Sequence, residues 1–564
     1  MSRRRLVSLL VSCALLVPGV SLATAQAGPG PAGPKIDGSV SKVYIVPTRD
    51  AEIYLAVVHP TAAGKIVKSP AILTYSPYSV LGRNGDAGHW TSRGFTRMYA
   101  DVVGTGNSGG CYDYGGNREK RTAYDVVEWV AKQPWSSGKI GMLGGSYDGT
   151  TQYAAAVMHP PHLTTIVPEA AIVRWWDYAY SGGLRYTDSN EQFGPQGAGA
   201  TTDEGADTPL GFDFGFALQP PIDPEDPDWA ARVQSTITPC DELAHTMEGY
   251  STLPNNGPFW AERDYLRLLP TVKIPVLVAA NWGDWNVKQH NSWMAFHALT
   301  HSAAARLYMG TRWDGHGTPF GADYPRTVDD WFARWLQGEH NGIEKRLPLT
   351  TSATSDSSKT IGYRPVSESR LKPLRLDLGG TILGGKAAAG TAQLPWTGTA
   401  TESDSIAHLD TPGRHVAFVG GVLAHDVRLF GPASLKLRIT SPCDYATVTA
   451  ELVDLGDGRT TTVGGKTVVT DPSQLVAVTR GWMDSRYRNE GYVPAAPTAA
   501  GKPFNLTVSL KPTDYTFHKG HAIALVLQTE ALEWVAPRPC AAAGVPALTL
   551  AFGPGVASLT LPTV

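Results

Sequence analysis

A serine hydroxyl attacks a carbonyl only when a base removes its proton and donors receive the developing oxyanion. Three short stretches of this 564-residue chain carry residues of those types. The first is Gly144-Gly145-Ser146-Tyr147-Asp148-Gly149. It is close to a G-x-S-x-G turn, but Asp148 takes the place of the last glycine and Gly149 comes one residue later. The apolar run Ile140 to Leu143 before it reads as a strand, and Tyr147 onward reads as a helix. That context suits a nucleophile elbow, in which a sharp strand–turn–helix bend exposes the serine Oγ. The second stretch, Asn281-Trp282-Gly283-Asp284-Trp285-Asn286-Val287, places Asp284 just past the strand-like run Ile274 to Ala280. The third, Gly310-Thr311-Arg312-Trp313-Asp314-Gly315-His316-Gly317, places His316 past the run Ala305 to Met309. Serine, acid, then histidine is the order this kind of turn requires. Ser146, Asp284 and His316 are therefore the candidate nucleophile, orienting acid and base. His290, His297 and His301 read as surface or packing residues, Asp314 as a loop former, and Asp101 and Asp148 as turn or cap residues. The backbone N–H of Tyr147 is one candidate oxyanion donor. The hydroxyl of Tyr78, after the strand-like Ala71 to Tyr75, is either the second donor or a packing group.

These residues need an α/β scaffold to position them. From about Gly38 to Gly342 strand-like runs alternate with helix-like ones. Phe95 to Val103 reads as a strand, Thr122 to Gln133 as a helix with Ala123, Val126, Val127 and Val130 on one face, and Thr327 to Gln337 as another helix. Such alternation predicts a mainly parallel sheet covered on both faces. Residues from about 175 to 269 interrupt the pattern. Between Asp203 and Asp228 lie eight acids and no Lys or Arg, and an insertion of this length reads as a lid. Beyond about Leu347 short alternating runs replace the helices (Leu374 to Leu378, Ser434 to Ile439, Ala522 to Leu527), which predicts a β-sandwich or jelly roll. The expected organisation is thus a leader over 1–27, an α/β catalytic domain over 28–346 with its cap, and a C-terminal β-sandwich or jelly roll over 347–564.

The leader has a basic start (Arg3-Arg4-Arg5), an apolar run from Leu6 to Val20 broken by Pro18, and Ala23-Thr24-Ala25-Gln26-Ala27 with two A-x-A options. This is the pattern of a secretory signal peptide, exported by the general or the twin-arginine route. The run is shorter than the roughly 20 residues of a membrane-spanning helix, so no stable membrane insertion is expected once it is removed. A net charge of −3 without a basic run gives nucleic-acid binding no electrostatic support. Cys111, Cys240, Cys443 and Cys540 match no zinc spacing, and no metal or other cofactor is expected. In an exported chain they allow two disulfides in three connectivities, with Cys111–Cys240 and Cys443–Cys540 the choice if pairing stays within domains, or else free buried thiols.

Taken together, Gly138 to Tyr147, Asp101 to Gly110, Gly283 to Lys288, Thr479 to Arg486 and Asp514 to His521 resemble the X-prolyl dipeptidyl-peptidase and cocaine-esterase family of α/β hydrolases. The resemblance spans nearly the whole chain after the leader. It implies a Ser146–Asp284–His316 triad, Tyr78 as the oxyanion-hole hydroxyl, a helical cap and a C-terminal jelly roll. The runs Ile166 to Ile172, Trp175-Trp176-Asp177-Tyr178 and Asp284 to Lys288 look like the peptidase branch, where the residue matching Asn286 helps hold the substrate's amino terminus. A free α-ammonium also needs a compensating charge, and Glu191 in the lid is a candidate. Trp175, Trp176 and Tyr178 either wall a proline ring or form cap core. Peptidases of that branch are often longer, with a helical N-terminal domain, whereas this chain's size is nearer the esterases and α-amino-acid ester hydrolases. The expected activity is release of Xaa-Pro dipeptides through an acyl-enzyme. Hydrolysis of small acyl or α-amino-acid esters is the alternative, and a non-catalytic glycan- or surface-binding protein is the alternative of another class. Peptide or small ester substrates are the expected partners, and self-association is left open.

Overall fold

A strand buried on both faces of a parallel sheet must be apolar along its whole length, and Val276–Asn281 has all of its residues buried. The computed structural model describes residues 35–78, 85–186, 240, 257–312, 315–319, 323–351, 364–384, 388–409, 411, 413–456, 460–463, 466–469, 475–489, 491–536 and 548–564. The leader, Glu191, Cys540 and most of the expected cap lie outside the described residues. Residues 36–564 form one compact unit.

Among the described residues thirteen strands occupy the first part of the chain. They are β1 (Gly38–Pro47), β2 (Glu52–Ala62), β3 (Lys65–Ile66), β4 (Ser69–Ser76), β5 (Thr96–Asp101), β6 (Ser136–Gly145), β7 (Leu163–Glu169), β8 (Tyr180–Ser181), β9 (Leu184–Tyr186), β10 (Val276–Asn281), β11 (Ala305–Gly310), β12 (Leu349–Thr351) and β13 (Arg364–Pro365). Eleven of them make one sheet in the order β1-β2-β5-β4-β6-β7-β10-β11-β12-β13, with β3 paired to β2. From β5 to β12 every pairing is parallel. Strand β4 lies between β5 and β6, so strand order reverses there, and the carboxyl ends at such a switch point form a natural crevice. Two short strands beyond residue 346, β12 and β13, still add to this sheet.

Among the described residues the α-helices of this part are α1 (Ala87–Thr91), α2 (Asn117–Ala131), α3 (Tyr147–Ala156), α4 (Trp175–Ala179), α5 (Gly257–Glu262), α6 (His290–Ala298) and α7 (Tyr324–Phe332). Ala123, Val126, Val127 and Val130 of α2 join α3 and α6 in one core, while Trp90 of α1 packs with Tyr324, Val328, Trp331 and Phe332 of α7 in another. The sheet is therefore covered on both faces, as the alternation predicts. Helix α2 begins at Asn117, six residues before its apolar face does. The Asp113 carboxylate accepts from the Arg118 and Glu119 N–H groups at 2.7 and 3.2 Å, supplying the cap that Gly116 cannot.

The C-terminal part is almost wholly antiparallel, with thirteen strands linked through successive pairings. Thr447–Asp454, buried throughout, pairs with Val476–Asp484 on one side and Ile523–Gln528 on the other. Two features join the two parts. Val535–Ala536 pairs with β9, and Trp285 packs with Trp482, Trp534 and Tyr186 in a separate aromatic cluster. Cys111 and Cys240 form a disulfide across 129 residues of sequence, with Cα atoms 5.6 Å apart. In the chain-entropy account a loop this long restricts the unfolded ensemble by on the order of 5 kcal/mol. Cys443 is also disulfide-bonded, to a partner outside the described residues. Among the described residues no helix is long and apolar enough to cross a membrane.

Candidate active site

Ser146 sits between β6 and α3 with φ 60° and ψ −125°, a left-handed conformation that a non-glycine residue adopts only where its surroundings impose it. The surroundings are tight. A Cβ on Gly144 would lie 2.5 Å from Asp148 Cβ, and one on Gly149 would lie 2.7 Å from the Glu169 carbonyl oxygen. A Cβ on Gly145 would make only ordinary contacts, at 3.7 Å or more. The displaced glycine of the motif is thus explained. Gly149 lets α3 close on the end of β7, while Asp148 occupies a site where a side chain fits. The Ser146 N–H donates to the Glu169 carbonyl at 2.9 Å, which fixes the turn against β7.

The neighbouring strand β4 ends at Ser76 and delivers Tyr78 to the serine. The Tyr78 hydroxyl donates to Ser146 Oγ at 3.0 Å and accepts from the Tyr147 N–H at 3.3 Å. Loss of hydration raises the Tyr78 hydroxyl well above the ordinary tyrosine range, and the Asp148 charge adds to this. It therefore remains a donor at any working pH. Asp148 is itself pushed up to about 7 by burial.

Asp284 is buried in the loop after β10 and His316 lies in the loop after β11. His316 Nδ1 is 3.1 Å from Asp284 Oδ2, and Asp284 Oδ1 accepts from the Val287 N–H at 3.0 Å. A carboxylate held on Nδ1 leaves Nε2 as the base of the ring. Two of the competing histidines are occupied elsewhere and the third is buried. His297 pairs with Glu368, His301 Nδ1 lies 2.7 Å from the Pro270 carbonyl, and His290 is buried in α6.

The substrate-binding candidates divide. Asn286 is buried two residues past Asp284. Trp175 packs against Tyr147 at 5.0 Å between ring centres, with Tyr178 edge-on to it at 6.0 Å. Trp176 instead stacks on Tyr180 and meets Tyr487, so its contacts are core contacts with the cap hairpin and the C-terminal part. Both tryptophans are 1 % exposed.

Two residues at strand ends were not singled out as site candidates from sequence. Asn281, the last residue of β10, donates through Nδ2 to the carbonyls of Gly315 and Gly317 at 3.0 and 3.3 Å. Glu169, the last residue of β7, accepts from the Thr318 and Tyr324 hydroxyls at 2.7 and 2.6 Å. Burial pushes the Glu169 carboxyl up and those hydroxyls draw it back. The available signal was a polar residue ending an otherwise apolar strand. Among the described residues no group of three or more His, Cys, Asp or Glu side chains is arranged to hold a metal.

Residues 50–315 match the family model for X-Pro dipeptidyl-peptidase (S15 family), and residues 324–539 match that for the X-Pro dipeptidyl-peptidase C-terminal non-catalytic domain. A Streptomyces avermitilis protein provisionally named an Xaa-Pro dipeptidyl-peptidase is 28% identical, with 82% of this chain and 73% of the relative covered. The fold is similar to a CocE/NonD family hydrolase from Staphylococcus aureus, with TM-score 0.69, 18% identity, and 99% and 100% of the two chains covered. It is likewise similar to an α-amino acid ester hydrolase, with TM-score 0.65, 17% identity, and 95% and 98% covered.

Proposed function

Since the chain belongs to the X-Pro dipeptidyl-peptidase and cocaine-esterase family of α/β-hydrolase-fold serine hydrolases, we propose that Ser146, Asp284 and His316 are its catalytic triad and that it releases Xaa-Pro dipeptides from free peptide N-termini. The observation that carries this reading is the Tyr78 hydroxyl. It sits 3.0 Å from Ser146 Oγ and beside the Tyr147 N–H, so two donors converge where an oxyanion would form.

In this mechanism His316 Nε2 takes the Ser146 proton as Oγ bonds to the carbonyl carbon of the proline residue. Asp284 holds the ring and stabilises its imidazolium form. The carbonyl π electrons move onto oxygen, which accepts from Tyr78 Oη–H and Tyr147 N–H. The C–N bond then breaks, His316 returns the proton to the leaving amine, and a dipeptidyl ester remains on Ser146. Water, deprotonated by His316, cleaves that ester and regenerates the serine. Asn286 accepts from the substrate ammonium, with Glu191 compensating its charge. Trp175 and Tyr178 wall the proline ring. Export follows from the leader, and three disulfide-bonded cysteines, Cys111, Cys240 and Cys443, support an oxidising destination.

Gly-Pro-nitroanilide, its N-blocked counterpart and nitrophenyl acetate test the reading, with Ser146→Ala as control. The free-amine peptide should turn over, the blocked one should not, and Ser146→Ala should lose on the order of a million-fold in kcat. Fast acetate turnover without dipeptide release would make the chain an esterase of the same family. Hydrolysis of none of the three would leave the binding reading.

A further inference from the structure

Nucleophile, acid and base come from three separate loops, after β6, β10 and β11. Catalysis needs those loops in register to within about half an ångström. The Asp284–His316 hydrogen bond sets one ring angle but does not tie the histidine loop to the serine turn. That tie is made at the end of β7. The Glu169 main-chain carbonyl receives the Ser146 N–H at 2.9 Å, while its side chain receives the Thr318 hydroxyl at 2.7 Å, two residues past His316. One buried residue thus grips both loops. Its second carboxylate oxygen is fixed by Tyr324 at 2.6 Å from the first turn of α7, so the carboxyl group has no freedom to follow a drifting loop. Asn281 makes the matching tie from the strand that carries Asp284, holding the carbonyls on both sides of His316. The fold makes room for it: a Cβ on Gly310 would lie 2.0 Å from Asn281 Oδ1.

We propose that Glu169 is a positioning residue that registers the His316 loop against the Ser146 turn through Thr318, with Asn281 bracing the same loop from the side of the acid. This rests on the assignment of Ser146 and His316 as nucleophile and base. The link is specific. It needs a hydroxyl at residue 318 and an acceptor at residue 169, and it acts on the chemical step more than on substrate binding.

Thr318 lies at the surface, so it can be changed with little effect on folding. Thr318→Val, which keeps the shape and loses the hydroxyl, should lower kcat about 10- to 100-fold, the cost of a misplacement on the ångström scale. KM and the thermal midpoint should stay close to those of the parent. Thr318→Ser, which keeps the hydroxyl, should recover most of the loss. Glu169→Met, which keeps the length and loses the acceptor oxygens, should also lower kcat, and the Glu169→Met/Thr318→Val double variant should be no worse than the poorer single one, because both cut one link. Parental kcat in Thr318→Val would overturn the inference. So would equal loss in Thr318→Ser, strictly multiplicative losses in the double variant, or a loss confined to KM and stability. Ser146→Ala run in parallel separates the two readings. If it keeps activity, the triad assignment has failed; if it is inactive while Thr318→Val is unaffected, only the positioning role has failed.

Discussion

Tyr78 shows why a single side chain can be decisive and yet hard to read from a sequence. Its hydroxyl donates to Ser146 Oγ and accepts from the Tyr147 N–H in the free enzyme. On the proposed mechanism, when Ser146 Oγ bonds to the carbonyl carbon the Tyr78 O–H is released from it, and this hydroxyl and the Tyr147 N–H beside it can turn to the oxyanion over a short distance. Tyr78→Phe should therefore lower kcat by about 10²- to 10³-fold on the dipeptide substrate, the scale of one lost oxyanion donor, with KM little changed. Equal losses in kcat and in substrate binding would instead make Tyr78 a wall of the site. The proposed serine, acid and histidine stand out in the sequence because each follows a strand-like run in the required order, and glycines mark the turns. Tyr78 was legible only through resemblance, since its meeting with Ser146 depends on β4 pairing beside β6. Glu169 was beyond reach for a similar reason. Its contact with Thr318 joins residues 149 apart, and no local pattern reports such a contact.

At the level of elements, the start of α2 carries an unusual load. Glu119 is buried, receives the Tyr147 hydroxyl at 2.7 Å and the Gly115 N–H at 3.1 Å, and thereby joins α2 to the first residue of α3. Sequence periodicity places the helix start at Thr122, because the apolar face begins at Ala123 and Asn117-Arg118-Glu119-Lys120-Arg121 adds no apolar residue to it. The structure buries Glu119 and Lys120. Burial, aided by the nearby Asp113 carboxylate, pushes the Glu119 carboxyl up to about 8 from 4.5. The folded protein thus holds a proton that the unfolded chain releases near pH 4.5. The corresponding stability is present in full below that pH and declines as pH rises towards 8, by an upper bound on the order of 4 to 5 kcal/mol. Glu119→Gln removes this titration. Urea denaturation at pH 5 and pH 8 should show the parent losing more stability between the two than the variant does, with Asp113 accounting for a residual slope. An identical pH dependence in both proteins would show that Glu119 is ionised at neutral pH after all.

On the scale of the whole molecule, the question is why a hydrolase carries a β-rich C-terminal part that supplies none of the candidate triad. The contact at Arg480 gives a physical answer. Its guanidinium lies 4.2 Å from the ring centre of Trp285 and 4.1 Å from that of Trp534, and its Nε donates to Glu402 at 2.6 Å. Trp285 is the residue after Asp284, so the C-terminal part presses directly on the loop that orients His316. Alternating patterns foretold β-strands there but not this contact, because Arg480 lies on the buried Val476–Asp484 strand where a polar residue would not be expected. The charge is balanced locally. Burial and the Glu402 carboxylate push the Glu451 carboxyl well above its ordinary range; burial raises Glu402 too, but Arg480 draws it back, so Glu402 is the partner that favours the anion beside Arg480. Replacing Arg480 by methionine keeps the volume but leaves a buried carboxylate without its cation. Breaking a buried pair in this way costs about 3 to 5 kcal/mol. Arg480→Met should lose stability of that order in urea denaturation and should also lose kcat, because Trp285 no longer has a flat cation to stack against. Arg480→Lys separates the two effects. An ammonium can restore the ion pair, but it lacks the planar face that two indoles sandwich. It should therefore recover more stability than activity, and recovery of both in equal measure would mean that the stack contributes nothing to the position of Asp284.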